Sequence, residues 1–203
     1  MIYIREASED EMVALFLKTE IKSTRFRDRI LAAIDQLKAK ESIVTEPNLA
    51  SAEENDLRRE ILSIFRGYGR DAEMFEGYPG DIRWVWVDLS RADLERVRYI
   101  DYSYWNELSS HTRLAKVAAT NIRKGIVVFG VSNDGFLEGA KDLLKGASFP
   151  PMILVANRDS GQLTVLEGHF RLTVYMLEPD HIPQRLRTMV GLVDQEGFDS
   201  WNL

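Results

Sequence analysis

The chain has no cysteine. That single absence removes disulfide cross-links, thiolate nucleophiles, cysteine-ligated zinc and iron–sulfur clusters together. Histidine is scarce as well. Only His111, His169 and His181 occur, and their spacing contains neither H-E-x-x-H nor another zinc pattern. No apolar run approaches the roughly 20 residues that cross a bilayer, so no membrane association is expected. Positive charge is not in excess: 26 Lys and Arg against 32 Asp and Glu give a net charge of −6. Domains that grip duplex DNA through its phosphates usually carry the opposite balance, so nucleic acid is a disfavoured partner. The opening MIYIREASEDEM is acidic and lacks the basic and apolar regions of a signal peptide. The expected setting is cytoplasmic.

What is present is an ordinary globular composition. Hydrophobic residues make up 45% and charged residues 29% of 203 positions, enough to bury a real core. The first 80 residues read as helical. Ser8 and Glu11 have capping-box spacing before an apolar run, and Phe26, Ile30, Ile34 and Leu37 fall on one helical face. Leu57 to Phe65 forms another amphipathic stretch, stopped by Gly67 and Gly69. The turn Gly77-Tyr-Pro-Gly80 then divides a helical N-terminal extension, residues 1–80, from a mixed remainder, residues 81–203. The two are compatible with one compact unit.

In the remainder, strands are expected at 84–87, 126–131, 152–156, 163–166 and 186–193, from β-branched and aromatic runs bounded by turn residues. Helices are expected at 90–98, 110–123, 136–145 and 169–178, with an aromatic loop at 99–106. The fold class is therefore α+β, a mixed sheet with packed helices.

The segment Leu163 to Leu177 carries the clearest chemical signal. An apolar strand ends at Glu167, Gly168 follows, and a helix starts at once. Unpaired N–H groups and the helix dipole draw anions to such a terminus. Arg171 lies in the first helical turn, where a cation opposes the dipole unless it faces an anion, and its planar fork suits phosphate. A tight turn at Gly168 and a surface ion pair for Arg171 account for the same residues equally well. His169 is a candidate acid, base or phosphate contact, or a residue that caps the helix. Glu167 is a candidate general base or Mg²⁺ ligand, or a carboxylate favoured by the helix terminus.

A second cluster is rich in aromatic and polar residues, from Asp101 through Trp105, Glu107 and His111 to Arg113. Its rings suit stacking on a base, or fill the gap between helices and sheet. Ser109 or Ser110 is expected to cap the helix that follows, placing Arg113 in its first turn like Arg171. Asp88, at a strand end, is a weaker candidate for metal or hydroxyl binding. The basic run Arg25, Arg27, Arg29 reads as a solvated helix face. Gly130 to Gly135 has P-loop glycine spacing, but Phe136 and Leu137 stand where Lys and Ser/Thr are required.

Glu167-Gly-His-Phe-Arg171 at a helix start, preceded by a hairpin opening with Phe149-Pro-Pro-Met-Ile-Leu154, resembles the ParB/sulfiredoxin-like superfamily. The stretch Tyr102-Ser-Tyr-Trp-Asn-Glu-Leu-Ser109 with Thr112-Arg-Leu114 resembles an uncharacterised bacterial branch of it. The resemblance implies a G-x-x-R phosphate site at Gly168 and Arg171, with Glu167 in the slot where related amino-acid kinases carry an acidic residue. His169 stands where sulfiredoxins carry cysteine, which excludes chemistry through that thiol. One of the two ParB arginines is missing from His169-Phe-Arg171.

These readings lead to a phosphate or nucleotide pocket. The expected ligand is a small phosphate-containing molecule, such as a nucleoside triphosphate or diphosphate with Mg²⁺. Gly168, His169, Arg171, Arg113 and Trp105 would bind it, and Glu167, His169 and Glu107 would act in phosphoryl transfer or nucleotide hydrolysis. The alternative is a non-catalytic nucleotide-responsive or protein-interaction module; a nucleic-acid-binding protein or nuclease comes third. No metal site is assigned, and a homodimer is left open.

Overall fold

The computed structural model describes residues 1–201. Its centre is a five-stranded mixed sheet. The strands are β1 (Ile2–Glu6), β2 (Arg83–Leu89), β3 (Met152–Asn157), β4 (Leu163–Glu167) and β5 (Leu186–Val193). Their spatial order is β1-β2-β5-β3-β4, with β3 and β5 parallel and the other three pairs antiparallel.

Strand periodicity assigns the two faces of the sheet to two cores. On β3, Ile153 and Val155 join one core, while Met152, Leu154 and Ala156 join the other. On β2, Trp84 points to the first and Val85, Val87 and Leu89 to the second. Alternation of this kind follows from the two-residue repeat of a strand. Every β3 residue is buried, as an interior strand covered on both faces requires.

The first face is covered by α1 (Glu9–Glu20), α2 (Arg27–Gln36), α3 (Ser42–Thr45) and α4 (Ala52–Arg66). Their starts and stops are local. Ser8 accepts a hydrogen bond from the Glu11 N–H at 3.1 Å, and Ser51 does the same for Glu54 at 3.3 Å. Gly67 ends α4 in the left-handed region, φ 79°. The expected helical face of α2 is buried at Ile30 and Ile34. The N-terminal helices and the sheet share this core, and β1 adds an edge strand.

The second face is covered by α5 (Arg91–Leu94), α6 (Ser103–Leu108), α7 (Ala115–Arg123), α8 (Asp134–Leu144) and α9 (His169–Leu177). The last element is α10 (Gln195–Trp201). Ser90 and Asp93 close a reciprocal capping box around α5.

Four expectations are corrected. Strand β1 lies where helix was expected; it is short and mostly exposed, so its pattern carries little periodic signal. The run Ile126 to Val131 is not a strand. It folds into a tight turn with one bridge between Val128 and Val131, with Phe129 at φ 51° and Gly130 at φ 71°. Its β-branched residues suit a strand, but with no neighbouring strand to pair with, propensity alone does not make one. The expected loop at 99–106 contains the start of α6. Helix α7 begins at Ala115, because Ser110, His111 and Arg113 all have positive φ, incompatible with a right-handed helix. Ser109 and Ser110 therefore do not cap it, and Arg113 lies ahead of its first turn.

Candidate functional site

Glu167 closes β4, Gly168 turns the chain, and α9 begins at His169. Gly168 has φ 110°, and a Cβ there would lie 2.6 Å from Met152 Cγ. Glycine is thus demanded by both backbone conformation and packing against β3. No side chain caps the start of α9.

Arg171 is buried, and the anion it faces belongs to its own chain. Its guanidinium pairs with the buried Glu167 carboxylate and donates to the Pro150 and Pro151 carbonyls, both at 3.1 Å. This is why a cation is tolerated in the first turn of α9. Burial pushes the Glu167 carboxyl up, and Arg171 opposes that shift.

Two residues of the N-terminal helices complete the cluster. Glu20, at the end of α1, hydrogen-bonds Glu167, and its carboxyl is pushed up to about 8 by burial and then by the Glu167 charge. Two carboxyls in contact do not both ionise near neutrality, so the pair shares one proton. Arg66, at the end of α4, lies 3.5 Å from Glu20. Its guanidinium rests over Phe26 at 4.1 Å and Phe65 at 4.6 Å, and its buried Nε has no hydrogen-bond partner. Burial lowers the Arg66 pKa, and the charges of Arg29 and Arg25 lower it further. Arg25, Arg27 and Arg29 are exposed, as a solvated face requires, and Arg29 pairs with Glu73 at 3.5 Å. With one proton shared by the two carboxyls, the two guanidiniums outweigh the remaining negative charge.

His169 sits against the same group. Its imidazole is held down to about 3, first by burial and then by Arg66 and Arg171. It is neutral at physiological pH and a weak proton acceptor there. Its buried Nε2 has no hydrogen-bond partner. The Trp105 ring stacks on it at 5.2 Å and on Tyr99 at 4.4 Å. Tyr99 is fully buried and shares a 2.6 Å hydrogen bond with Thr173, so the inner end of the aromatic segment fills the core. Tyr104 packs edge-on to Trp105 at 4.9 Å; burial pushes its phenol up, and the charge of Arg25 opposes that shift.

The structure thus gathers Glu167, Gly168, His169, Arg171 and Trp105. Arg113 is engaged elsewhere: its Nε donates to the Tyr99 carbonyl at 2.9 Å, and it lies 3.8 Å from Asp101. Glu107 is exposed and pairs with His111 at 3.4 Å. Asp88 accepts from Arg187 at 2.8 Å. Sequence pattern does not single out Glu20 and Arg66, because nothing in a helical repeat marks which terminal charge turns inward.

Among the described residues, no group of three or more His, Asp or Glu side chains is arranged to hold a metal ion. Glu167, committed to Arg171 and Glu20, does not fit the role of Mg²⁺ ligand. No helix is long and apolar enough to cross a membrane. Clefts of about 270 and 370 Å³ lie elsewhere, beside Asp88 and beside Tyr68. No protein-family model matches the chain, and neither does any curated protein or solved structure.

Proposed function

We propose that the protein binds a small phosphate-bearing ligand at the surface where α9 begins. The observation that carries this reading is the excess of positive charge collected there. Arg66 lies close enough to His169, at the uncapped start of α9, for its charge to act on the ring, while one of the two nearby carboxyls keeps its proton. Fixed guanidiniums and backbone N–H groups together suit a phosphate, and Trp105 and Tyr104 offer rings for an attached base. Arg171 acts in this reading as the brace of the turn, and Arg66 as the phosphate contact. The strand–glycine–helix turn supports placement in the ParB/sulfiredoxin-like superfamily.

The binding role is favoured over phosphoryl transfer because Glu167 and Arg171 neutralise each other. A hydrolytic reading draws on one observation, the Glu20 carboxyl: an acid that keeps its proton to about pH 8 is poised to donate it. Thermal-shift titrations with phosphate, pyrophosphate, ADP, ATP, CTP and GTP, with and without Mg²⁺, test the proposal. Binding to the native state raises apparent stability by about 2.7 kcal/mol at one hundred times the dissociation constant. A shift with one of these ligands that disappears in Arg66→Gln is expected. No shift with any of them overturns the reading, and product formation over hours would favour hydrolysis.

A further inference from the structure

Between the end of α4 and the start of β2 the chain forms a cleft of about 370 Å³, unrelated to the α9 cluster. This lies within the usual range for small-ligand pockets. Its walls include four aromatic residues, Tyr68, Phe75, Tyr78 and Trp84, and two carboxylates, Glu9 and Asp71. Among the described residues that line it, none is Lys, Arg or His.

The rings stand at steep angles to one another. Tyr68 meets Phe75 at 4.9 Å and 78°, Phe75 meets Tyr78 at 4.9 Å and 86°, and Tyr68 meets Tyr78 at 6.3 Å and 63°. Trp201 braces Tyr78 from α10 at 5.6 Å and 87°, its Nε1 donating to the Met74 carbonyl at 2.9 Å. The Tyr68 hydroxyl donates to Glu9, and Asp71 accepts from the Gly77 N–H at 2.6 Å. The Tyr78 hydroxyl is buried and has no hydrogen-bond partner. Burial pushes both phenols up, so they stay neutral. Arg59, the cation that acts on Tyr68, is itself paired with Asp10 and Asp56, both at 2.5 Å.

We propose that this cleft binds a protonated alkylamine. Aromatic faces attract cations through their quadrupole, and desolvation strengthens the attraction. The oxygens of Glu9, Asp71 and Tyr78 supply three acceptors for the three N–H donors of a primary ammonium group. A phenol oxygen left without a partner inside the protein gains one when the amine enters. The amine is either a free small molecule or a lysine side chain presented by a peptide.

Isothermal titration calorimetry on the full chain at neutral pH tests this with butylammonium, with the uncharged 1-pentanol of similar size, and with Nα-acetyl-lysine amide. Saturable binding of butylammonium is expected, at least tenfold tighter than pentanol and at least tenfold weakened by Glu9→Gln. Tyr78→Phe, which removes only the unpartnered hydroxyl, is expected to weaken binding severalfold and serves if Glu9→Gln fails to fold. Tighter binding of the lysine amide identifies a peptide as the source of the amine, and the reverse order a free amine; both support the cation site. Equal affinity for butylammonium and pentanol, or no saturation by either ammonium compound below about 10 mM, overturns it.

Discussion

The Glu20 carboxyl hydrogen-bonds the Glu167 carboxyl, joining the end of the first helix to the end of the strand that precedes α9. The contact lies against Arg66 on one side and Arg171 on the other. Four ionisable groups from four elements thus meet where the N-terminal helices reach the sheet.

This contact fixes a pH dependence. The Glu20 carboxyl rises from an ordinary value of 4.5 to about 8 in the folded chain. Its contribution to stability is complete below the unfolded value and is lost as pH rises through the folded one, at about 1.4 kcal/mol per unit of difference. Wild type should lose stability to urea between about pH 5 and pH 8 relative to Glu20→Gln, which keeps the shape and has no proton to lose. Parallel unfolding curves for the two chains across that range would contradict the shared proton.

Replacing Arg171 by Met should destabilise the fold by about 3–5 kcal/mol, since Glu167 is left buried without its cation. The double variant Glu167→Gln with Arg171→Met should recover most of that loss. A double-mutant cycle by chemical denaturation measures the coupling. Strict additivity would show that the two side chains act separately.

Gly168→Ala should cost about 2–4 kcal/mol, because the φ of 110° and the 2.6 Å approach to Met152 both oppose a side chain. Thermal melts at fixed pH read this directly. A neutral effect would mean that the turn relaxes without strain.

The His169 imidazole should show no titration between pH 5 and pH 8, since it is held down to about 3. Its folded value lies below the unfolded one, so its contribution to stability is present above about pH 6.5 and is lost as pH falls towards 3. Nitrogen-15 chemical shifts of the ring nitrogens distinguish a neutral from a charged imidazole. A charged signal at pH 6 would place the ring in contact with water.

Much of the fold was legible because its determinants are local. Ser8, Ser90 and Gly67 mark helix ends within four residues of chain, and Ile30 and Ile34 mark a buried helix face. The strand–glycine–helix unit at Glu167 to Leu177 also reads directly from its pattern. The rest depends on distant partners. β1 is a strand because β2 lies beside it, and Ile126 to Val131 is not one because nothing does. The aromatic segment reads as loop because its helix is short and its rings dominate its composition. At the candidate site, Gly168, His169 and Arg171 announced themselves through one motif. Glu20 and Arg66 carry no local signature, so their inward turn emerges only when the four elements meet.

The strand order has a consequence for how the chain is made. β5 is the last strand in sequence, yet it lies between β2 and β3, so the sheet joins two antiparallel pairs, β1 with β2 and β3 with β4, only through the last strand to be made. Neither half completes the sheet until residues 186–193 emerge and insert between them. Folding must therefore wait for a late, non-local step, which costs loop-closure entropy and slows the reaction. Until β5 inserts, the facing edges of β2 and β3 present the unpaired N–H and C=O groups that it satisfies in the finished sheet.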